Sequence, residues 1–416
     1  MKSITNTLFY IIILNMIPAA LLGTFQISSS LYTLLFALVF LLQIIMIYNV
    51  LGRESLKITR NQFLIFILFL IVEVISNLYS AIFFEKIDSN EFLVVFSVTL
   101  NIFFFIISIS NYRVQYSDLY RFFFRIVQAG SFACFINLLL NYKEILSISS
   151  LTNSYVAEFS SFFSNRNTFG VLMLITIISN KYLIESSYYK FANLFQIFFF
   201  VNLLLTFSRT SIAGVLLFYL LFYYFNYVRY NYKIGLSKAL SIILLIFIVA
   251  LAILFMLTND FIINRLNILL FRIDNLESGS GRFDVWRSGF EIGTSNNFFF
   301  GLGRYKALEL KEKFYHNSLN YFHSIYIEVF VTYGLIGFTM LIMYFRHIIK
   351  KISHSSFFGK NITYSSIFSF MFICLFESTT RFSIGYADTI SLIFFFSIPI
   401  LIGNMKTDED IKKEVV

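Results

Sequence analysis

The chain has 416 residues, 58% of them hydrophobic and 13% charged, which is far more apolar than a soluble globular domain. This balance excludes a soluble enzyme and indicates a helical protein that crosses a membrane several times. The net charge of +9 fits lysine and arginine marking the cytoplasmic side of such a protein, so nucleic-acid binding is not expected. Cys134 and Cys374 lie within apolar runs and are predicted to fill the core, without forming a disulfide or holding a metal.

Apolar runs long enough to cross a hydrocarbon core of roughly 30 Å recur along the chain. They predict an all-α polytopic membrane protein with about 12 transmembrane helices. The predicted spans are 6–23, 28–50, 62–80, 91–110, 122–141, 167–181, 191–208, 209–228, 239–258, 324–345, 362–380 and 388–404. Residues 1–258 would form a bundle of about nine spans, and residues 324–416 a bundle of about three spans with a cytoplasmic tail. Between them, residues 259–323 form one long polar loop carrying short amphipathic helices.

The distribution of basic residues predicts which side each loop faces, because lysine and arginine are enriched in cytoplasmic loops. With the N-terminus inside, 18 of the 32 lysines and arginines fall in inner loops, and the short outer loops hold five. An even number of spans then puts both termini in the cytoplasm. The segment 259–323 is therefore predicted to be extracytoplasmic, and its eight lysines and arginines run against the general bias. No Gly-rich phosphate loop occurs on the inner side, so ATP-driven work is not expected.

One stretch of the polar segment predicts an amphipathic helix. In residues 281–290, Phe283, Trp286 and Phe290 follow a helical spacing on one face. A helix here would lie on the outer leaflet with Trp286, the only tryptophan, at headgroup level, where it either anchors the helix or contacts substrate. The Ser-Gly-Ser-Gly turn before Arg282 places this arginine at the helix start. Exposed backbone N–H groups and a guanidinium together form a site for phosphate.

Two further arginines stand at predicted outer helix ends. Arg209 lies in the Ser-Arg-Thr break between the seventh and eighth spans, where Ser208 is expected to cap the following helix. Arg166 opens the sixth span within the run Ser-Asn-Arg-Asn-Thr. Each of these arginines either binds a phosphate with the help of the helix N-terminus or extends to the lipid headgroups.

His323 stands at the membrane surface just before the tenth span. A neutral imidazole can take a proton from a sugar hydroxyl near neutral pH, although a histidine at a helix start is also common as a surface residue. His316 lies seven residues earlier and competes for the same role. Glu328, in the first turns of the tenth span, is a carboxylate within the membrane and is costly unless it is paired or lines a cavity. Glu328 and Arg304, which opens the Tyr- and Lys-rich stretch before His323, are further candidates for substrate binding.

Five motifs follow one another around the long loop. They are Asn-x-Asn at 165–167, Ser-Arg-Thr at 208–210, Gly-Arg-x-x-x-Trp at 281–286, Gly-x-Gly at 301–303, and His-Ser-x-Tyr-Ile at 323–327 followed by Gly-Leu-Ile-Gly at 334–337. This order resembles the O-antigen ligase/polymerase superfamily, whose members include Wzy-type polysaccharide polymerases and the ligases that transfer O-antigen to lipid A core. The resemblance departs from the family at Ser324, where asparagine is frequent, and at Asn297, where proline is usual. Neither departure removes a charge.

The resemblance implies roles for three of these residues. His323, eleven residues before Gly334, matches the family's histidine, whereas His316 does not fit that spacing. Arg209 and Arg282 match the family's phosphate-binding arginines. The family fold and activity imply an inverting, metal-independent glycosyltransferase of the GT-C type that needs no cofactor. His323 would then deprotonate the acceptor hydroxyl, and the two arginines would bind the pyrophosphate of a polyprenyl-pyrophosphate-linked oligosaccharide donor.

The resemblance therefore predicts a polysaccharide polymerase in the bacterial cytoplasmic membrane that joins lipid-linked repeat units into O-antigen, capsular polysaccharide or exopolysaccharide. Two alternatives stay open: a ligase-type transferase that moves the glycan to a lipid, protein or wall acceptor, and a non-enzymatic flippase or transporter of lipid-linked oligosaccharide. The expected partners are the lipid-linked donor and acceptor, membrane lipid, and the flippase and chain-length regulator of the same pathway. Against a transporter, the two halves of the sequence show no matching broken spans, and the polar residues gather in one loop.

Overall fold

The structure is a computed structural model, and it describes part of the chain. The described residues are 4–25, scattered positions between 31 and 78, 114–143, 159–163, 165–206, 208–228, 282–303, 306, 307, 309, 310, 322–353, 355, 359–377, 391 and 393–405. Within these ranges the description leaves out the side chains of residues 15, 17–25, 227, 228, 282 and 283.

The regular elements within these described ranges are all helices. In chain order they are α1 (Ile4–Phe25), α2 (Tyr116–Leu140), α3 (Arg166–Glu185), α4 (Ala192–Leu205), α5 (Arg209–Tyr223), α6 (Arg282–Ser295), α7 (Ile325–Ser353), α8 (Lys360–Phe376) and α9 (Ile398–Gly403). Short π-helical segments, Tyr224–Val228 and Ile393–Ser397, follow α5 and precede α9. The prediction of an all-α protein is confirmed for the part of the chain that the structure describes.

In that part of the chain, α2, α3 and α7 are long and apolar enough to cross a membrane. Shorter apolar helices lie at α1, α4, α8 and the last helical segment, and these also fall on predicted spans. The gap between α4 and α5 lies at the predicted break beside Arg209. The predicted spans 91–110 and 239–258 lie outside the described residues, and 28–50 and 62–80 are described only at scattered positions. The protein is an integral membrane protein, and the count of twelve spans and the GT-C-like topology stay predictions.

The long helices pack around one hydrophobic core, to which α1 to α5 and α7 to α9 all contribute. Helix α3 lies at its centre, since every residue from Phe169 to Asn180 is buried. Small residues let helices approach closely, as is usual in membrane bundles. A Cβ on Gly214 of α5 would lie only 2.4 Å from Cδ1 of Ile373 in α8. The close pairing of α5 with α8 therefore depends on a residue without a side chain at this crossing.

Buried polar side chains also join the helices to one another. The hydroxyls of Tyr182 in α3 and Thr363 in α8 lie 2.6 Å apart, and Asn137 in α2 donates to Asn202 in α4 at 3.2 Å. In apolar surroundings such bonds fix the relative rotation of two helices, because a buried polar group without a partner is costly. The bundle is therefore held in register by specific side-chain bonds as well as by packing.

A second, smaller hydrophobic cluster forms where α6 packs on the first turns of α7. Its buried members are Val285, Ile292, Leu302, Ala307, Leu310, Phe322, Phe330 and Val331. Two glycines of α6 allow the close contact: a Cβ on Gly289 would lie 2.5 Å from Cγ2 of Ile327, and one on Gly293 would lie 2.6 Å from Cε1 of Phe330. Helix α6, which lies within the predicted polar loop 259–323, is therefore packed against α7.

Helix α7 is broken at Gly334, whose φ of 67° and ψ of −165° are not helical. The Gly-Leu-Gly loop that precedes α7 supplies donors at the break. The N–H of Leu302 donates to the carbonyl of Val331 at 3.0 Å, and the N–H of Gly303 donates to the carbonyl of Thr332 at 3.0 Å. In an unbroken helix these two carbonyls would accept from the residues four positions later.

The same loop also supplies the acceptors that the break requires. Leu335 and Ile336, the donors displaced from the helix, give their N–H groups to the carbonyls of Phe298 (2.8 Å) and Phe299 (3.2 Å). Four backbone bonds between loop and helix thus replace two that the break removes. Irregular backbone within a membrane protein is stable where its polar groups are bonded in this way.

Candidate functional site

Four of the basic residues singled out in the sequence begin a helix or stand just before one. Arg166 is the first residue of α3, Arg209 of α5 and Arg282 of α6, and His323 stands two residues before α7. The first N–H groups of a helix point out from its end and carry partial positive charge. Helix starts that also carry a guanidinium or an imidazole are suited to binding a polyanion.

The starts of α3 and α5 meet at the carboxyl end of α8. Glu377, the residue that follows α8, is 6% exposed. Its Oε1 accepts one hydrogen bond from Asn167 Nδ2 at 3.2 Å and another from Thr210 Oγ1 at 3.2 Å. Asn167 follows Arg166, and Thr210 follows Arg209. One carboxylate oxygen therefore joins the first turns of both arginine-bearing helices.

Close packing between α3 and α5 brings the same two helix starts together. A Cβ on Gly170, one turn into α3, would lie 2.7 Å from Cβ of Ser208 and from Oγ of Ser211. Ser208 occupies the N-cap position of α5, but its hydroxyl donates to the hydroxyl of Ser211 at 3.0 Å and makes no cap bond. The expectation that the Ser208 side chain caps the backbone of α5 is therefore wrong.

The first turn of α7 reaches the same end of α8. The hydroxyl of Ser324 donates to the carbonyl of Cys374 at 3.4 Å, and the hydroxyl of Tyr326 donates to the carbonyl of Met371 at 3.0 Å. Because Ser324 directly follows His323, these bonds bring the backbone of the histidine to the end of α8 at which the two arginine-bearing helix starts meet.

Helix α6 reaches this end of α8 through its tryptophan. Trp286 packs against Phe376, the last residue of α8, with ring centroids 5.8 Å apart. Trp286 lies one turn after Arg282, so the start of α6 is the fourth helix start around the end of α8. Trp286 is thus packed against protein, and its role as an anchor or a substrate contact stays a prediction.

His323 has a left-handed backbone, with a φ of 50°. Few non-glycine residues adopt this conformation, and the surrounding contacts must hold those that do. Here the neighbours hold it, because Phe322 is buried in the small core and Ile325 in the main core. The chain therefore turns at His323 between two cores, and the residue is left partly exposed. A histidine at a defined and partly exposed turn is suited to proton transfer with a substrate.

The structure does not test the predicted roles of three other site residues. The side chain of Arg282 and all of Arg304 lie outside the described residues, so their roles stay predictions. Glu328 is partly buried in the first turn of α7, with its N–H bonded to the carbonyl of Ser324 at 2.9 Å. Its predicted part in substrate binding is also not decided by this position.

The sequence reasoning missed Glu377. The predicted span 362–380 placed this carboxylate inside a membrane helix, whereas α8 ends at Phe376 and Glu377 follows it in an extended conformation. A carboxylate close to the end of an apolar run is costly unless it is bonded, and that signal marks the residue. Which helix ends would supply its partners depends on the packing of α3, α5 and α8, which the sequence does not show.

Residues 194–342 match the family model described as O-antigen ligase. This segment contains the starts of α5, α6 and α7, and with them Arg209, Arg282, Trp286 and His323. The start of α3 and the end of α8 lie outside it. The resemblance to the O-antigen ligase/polymerase superfamily is confirmed by this match. No curated protein matches the chain significantly.

Proposed function

We propose that this membrane protein is an inverting glycosyltransferase. The premise is that residues 194–342 match the O-antigen ligase family model. The protein polymerises polyprenyl-pyrophosphate-linked oligosaccharide repeat units into O-antigen, capsular polysaccharide or exopolysaccharide on the outer face of the cytoplasmic membrane. The observation that carries the proposal is the meeting of four helix starts at the end of α8, three beginning with arginine and one following His323.

In this proposal the arginine-bearing helix starts bind the pyrophosphate of the donor. Arg209 is exposed at the start of α5, where a guanidinium and backbone N–H groups act on the same anion. Arg282 begins α6 and supplies a second guanidinium. Pyrophosphate is a good leaving group once its charge is neutralised, so the arginines stabilise the charge that develops as the anomeric C–O bond breaks.

His323 takes the proton of the acceptor hydroxyl as that oxygen attacks the anomeric carbon. Attack opposite the departing pyrophosphate inverts the configuration at this carbon, so the base and the arginines must stand on different sides of the sugar. His323 and Arg209 belong to different helices that both reach the end of α8. This arrangement supports a sugar bound between the start of α7 and the start of α5.

The nature of the acceptor separates a polymerase from a ligase. In a polymerase the acceptor is the non-reducing end of another lipid-linked repeat unit, whereas a ligase uses a lipid, protein or wall component. The family description names a ligase, which keeps that activity as the second candidate. We favour the polymerase because polymerases are the more diverse branch of the superfamily that the motifs resemble.

The experiment that tests the polymerase is a deletion followed by analysis of the lipid-linked glycans. Loss of a polymerase leaves single repeat units on the polyprenyl carrier, because the units are made but not joined. Loss of a ligase leaves long chains on the carrier, because they are joined but not transferred. A His323→Ala variant present at the wild-type amount should reproduce the deletion. Long carrier-linked chains in the deletion strain would contradict the polymerase and support the ligase.

A flippase is the non-enzymatic alternative, and transporters often contain broken helices. The break in α7 at Gly334 does not favour transport, because the backbone groups at the break are bonded to the preceding loop. The discriminating measurement uses purified protein in detergent, where there is no membrane to cross. Joining of two lipid-linked repeat units under these conditions supports the polymerase over the transporter. Folded protein that forms no product would contradict the polymerase and leave the ligase and the transporter as candidates.

A further inference from the structure

We propose that Glu377 is a positioning residue that holds the starts of α3 and α5 in one anion-binding arrangement. It does so by accepting hydrogen bonds from both first turns with one oxygen, at 3.2 Å from Asn167 Nδ2 and 3.2 Å from Thr210 Oγ1. The inference rests on the proposed function, since the anion to be bound is the donor's pyrophosphate. Glu377 itself lies outside the segment 194–342 that matches the family model.

The negative charge of Glu377 is unfavourable next to the carboxyl end of α8. The carboxyl end of a helix carries partial negative charge, so a carboxylate directly after α8 gains nothing from that helix. The starts of α3 and α5 carry partial positive charge and favour a carboxylate between them. Burial of the group to 6% exposure adds a cost that its hydrogen bonds must offset. A buried carboxylate at this position is explained if its hydrogen bonds hold the starts of α3 and α5 together.

The starts of α3 and α5 both carry partial positive charge from their backbone N–H groups, so they repel each other at close approach. Arg166 and Arg209 are each the first residue of their helix, and Gly170 lets the two helices approach until a Cβ would lie 2.7 Å from Cβ of Ser208. A carboxylate that bonds to both first turns offsets this repulsion before any substrate arrives. The site is then arranged for the pyrophosphate in advance, which lowers the ordering cost of binding. Glu377 acts through Asn167 and Thr210 and needs no contact with the substrate.

Binding of polyprenyl pyrophosphate to the purified protein tests this role without requiring transfer. Trp286 is the only tryptophan, and its ring lies 5.8 Å from that of Phe376, the neighbour of Glu377. Its fluorescence therefore reports on this end of α8. Glu377→Ala should raise the Kd for polyprenyl pyrophosphate about tenfold, because a hydrogen bond to a charged group contributes roughly this factor. Glu377→Gln keeps an acceptor oxygen and should raise the Kd by less, about threefold.

A double-variant comparison separates positioning from a general structural role. Thr210→Val removes the hydroxyl that donates to Glu377, so it should weaken binding on its own but add little to Glu377→Ala. Glu185→Gln removes a carboxylate at the opposite end of α3, where it pairs with Lys181 at 2.7 Å, and should leave the Kd unchanged. If Glu377 had only a structural role, its substitution would lower the amount of folded protein, and the folded fraction would bind polyprenyl pyrophosphate with the wild-type Kd.

The outcomes distinguish this inference from the proposed function. A wild-type Kd in folded Glu377→Ala, or fully additive losses from Glu377→Ala and Thr210→Val, would overturn the positioning role. If Glu377→Ala does not fold, a wild-type Kd in both Glu377→Gln and Thr210→Val overturns it as well. Protein that binds polyprenyl pyrophosphate through Glu377 but transfers no glycan contradicts the proposed function alone. Wild-type protein that does not bind polyprenyl pyrophosphate contradicts both.

Discussion

Gly301 and Gly334 lie with their backbones in direct contact, and both have left-handed conformations with φ of 75° and 67°. A Cβ on Gly334 would lie 2.6 Å from the backbone N of Gly301 and 2.3 Å from the carbonyl carbon of Phe299. The neighbouring atoms are backbone, so they cannot move aside as a flexible side chain would. The join between the Gly-x-Gly loop and the break in α7 therefore requires glycine at both positions.

Gly334→Ala should destabilise the protein by about 3–5 kcal/mol, the sum of a strained positive φ and a backbone overlap. The expected result is a lower unfolding temperature in detergent and less folded protein in the membrane, with transfer activity reduced in proportion. Thr339→Ala is a matched control on the same helix, since it removes an exposed hydroxyl that bonds only locally to the carbonyl of Ile336. Wild-type stability in Gly334→Ala would show that the loop and α7 are not joined as described.

Removal of the imidazole at His323 should abolish polymerisation while the fold survives. His323→Ala is expected to lower the rate by roughly 10²–10⁴-fold, the usual contribution of a general base. His323→Gly is the sharper variant, because glycine adopts the observed positive φ without steric cost. It should unfold close to the wild-type temperature and be equally inactive, whereas His316→Ala keeps most of its activity. Near-normal product from either His323 variant would remove the base from this mechanism.

Substitutions of the two matched arginines should weaken binding of the donor and of its transition state. Arg209→Ala and Arg282→Ala are each expected to lower kcat/KM for the donor by about 10–100-fold, the range for losing a hydrogen bond to a charged group. Arg→Lys at either position should cost less but still lower activity, because lysine lacks the fork of two aligned donors. Arg287→Ala is the control, since this residue of α6 is exposed and pairs with Glu291 at 3.0 Å. Unchanged kinetics in both alanine variants would exclude a pyrophosphate site at these helix starts.

The membrane orientation predicted from the basic residues can be tested at exposed positions of the structure. Ser295, at the end of α6, should be extracytoplasmic, and Ser353, at the end of α7, should be cytoplasmic. In intact cells an impermeant thiol reagent should label Ser295→Cys and should not label Ser353→Cys. Background labelling is expected to be low, because both native cysteines are buried. The reverse pattern would show that the assigned orientation is inverted.

The helices could be located from the sequence because hydropathy and breaker residues act locally. The apolar runs gave the positions of α2, α3 and α7, and polar or glycine-containing breaks gave helix starts at Arg166, Arg209 and Arg282. The spacing from His323 to Gly334 also has a structural basis, since it runs from the turn before α7 to the break inside it.

Other features depend on contacts between distant parts of the chain and could not be predicted from local patterns. The role of Glu377 requires knowing that α3, α5 and α8 bring Asn167 and Thr210 to one oxygen. The exchange of backbone bonds at Gly334 requires knowing that the Gly-x-Gly loop docks there. The hydroxyl of Ser208 was expected to bond to the backbone of α5, but the close packing of α3 brings Gly170 against it and it bonds to Ser211.

The end of α8 is synthesised after all four helix starts that meet there. During biosynthesis, the residues that begin α3, α5 and α6 and the turn at His323 therefore leave the ribosome before their common contact exists. Asn167 and Thr210 obtain their shared acceptor only when Glu377 has been translated and α8 has been inserted. A nascent chain that ends before α8 thus holds the helix starts of the candidate site without the residue that joins two of them, and under the proposed function it should not yet bind the donor.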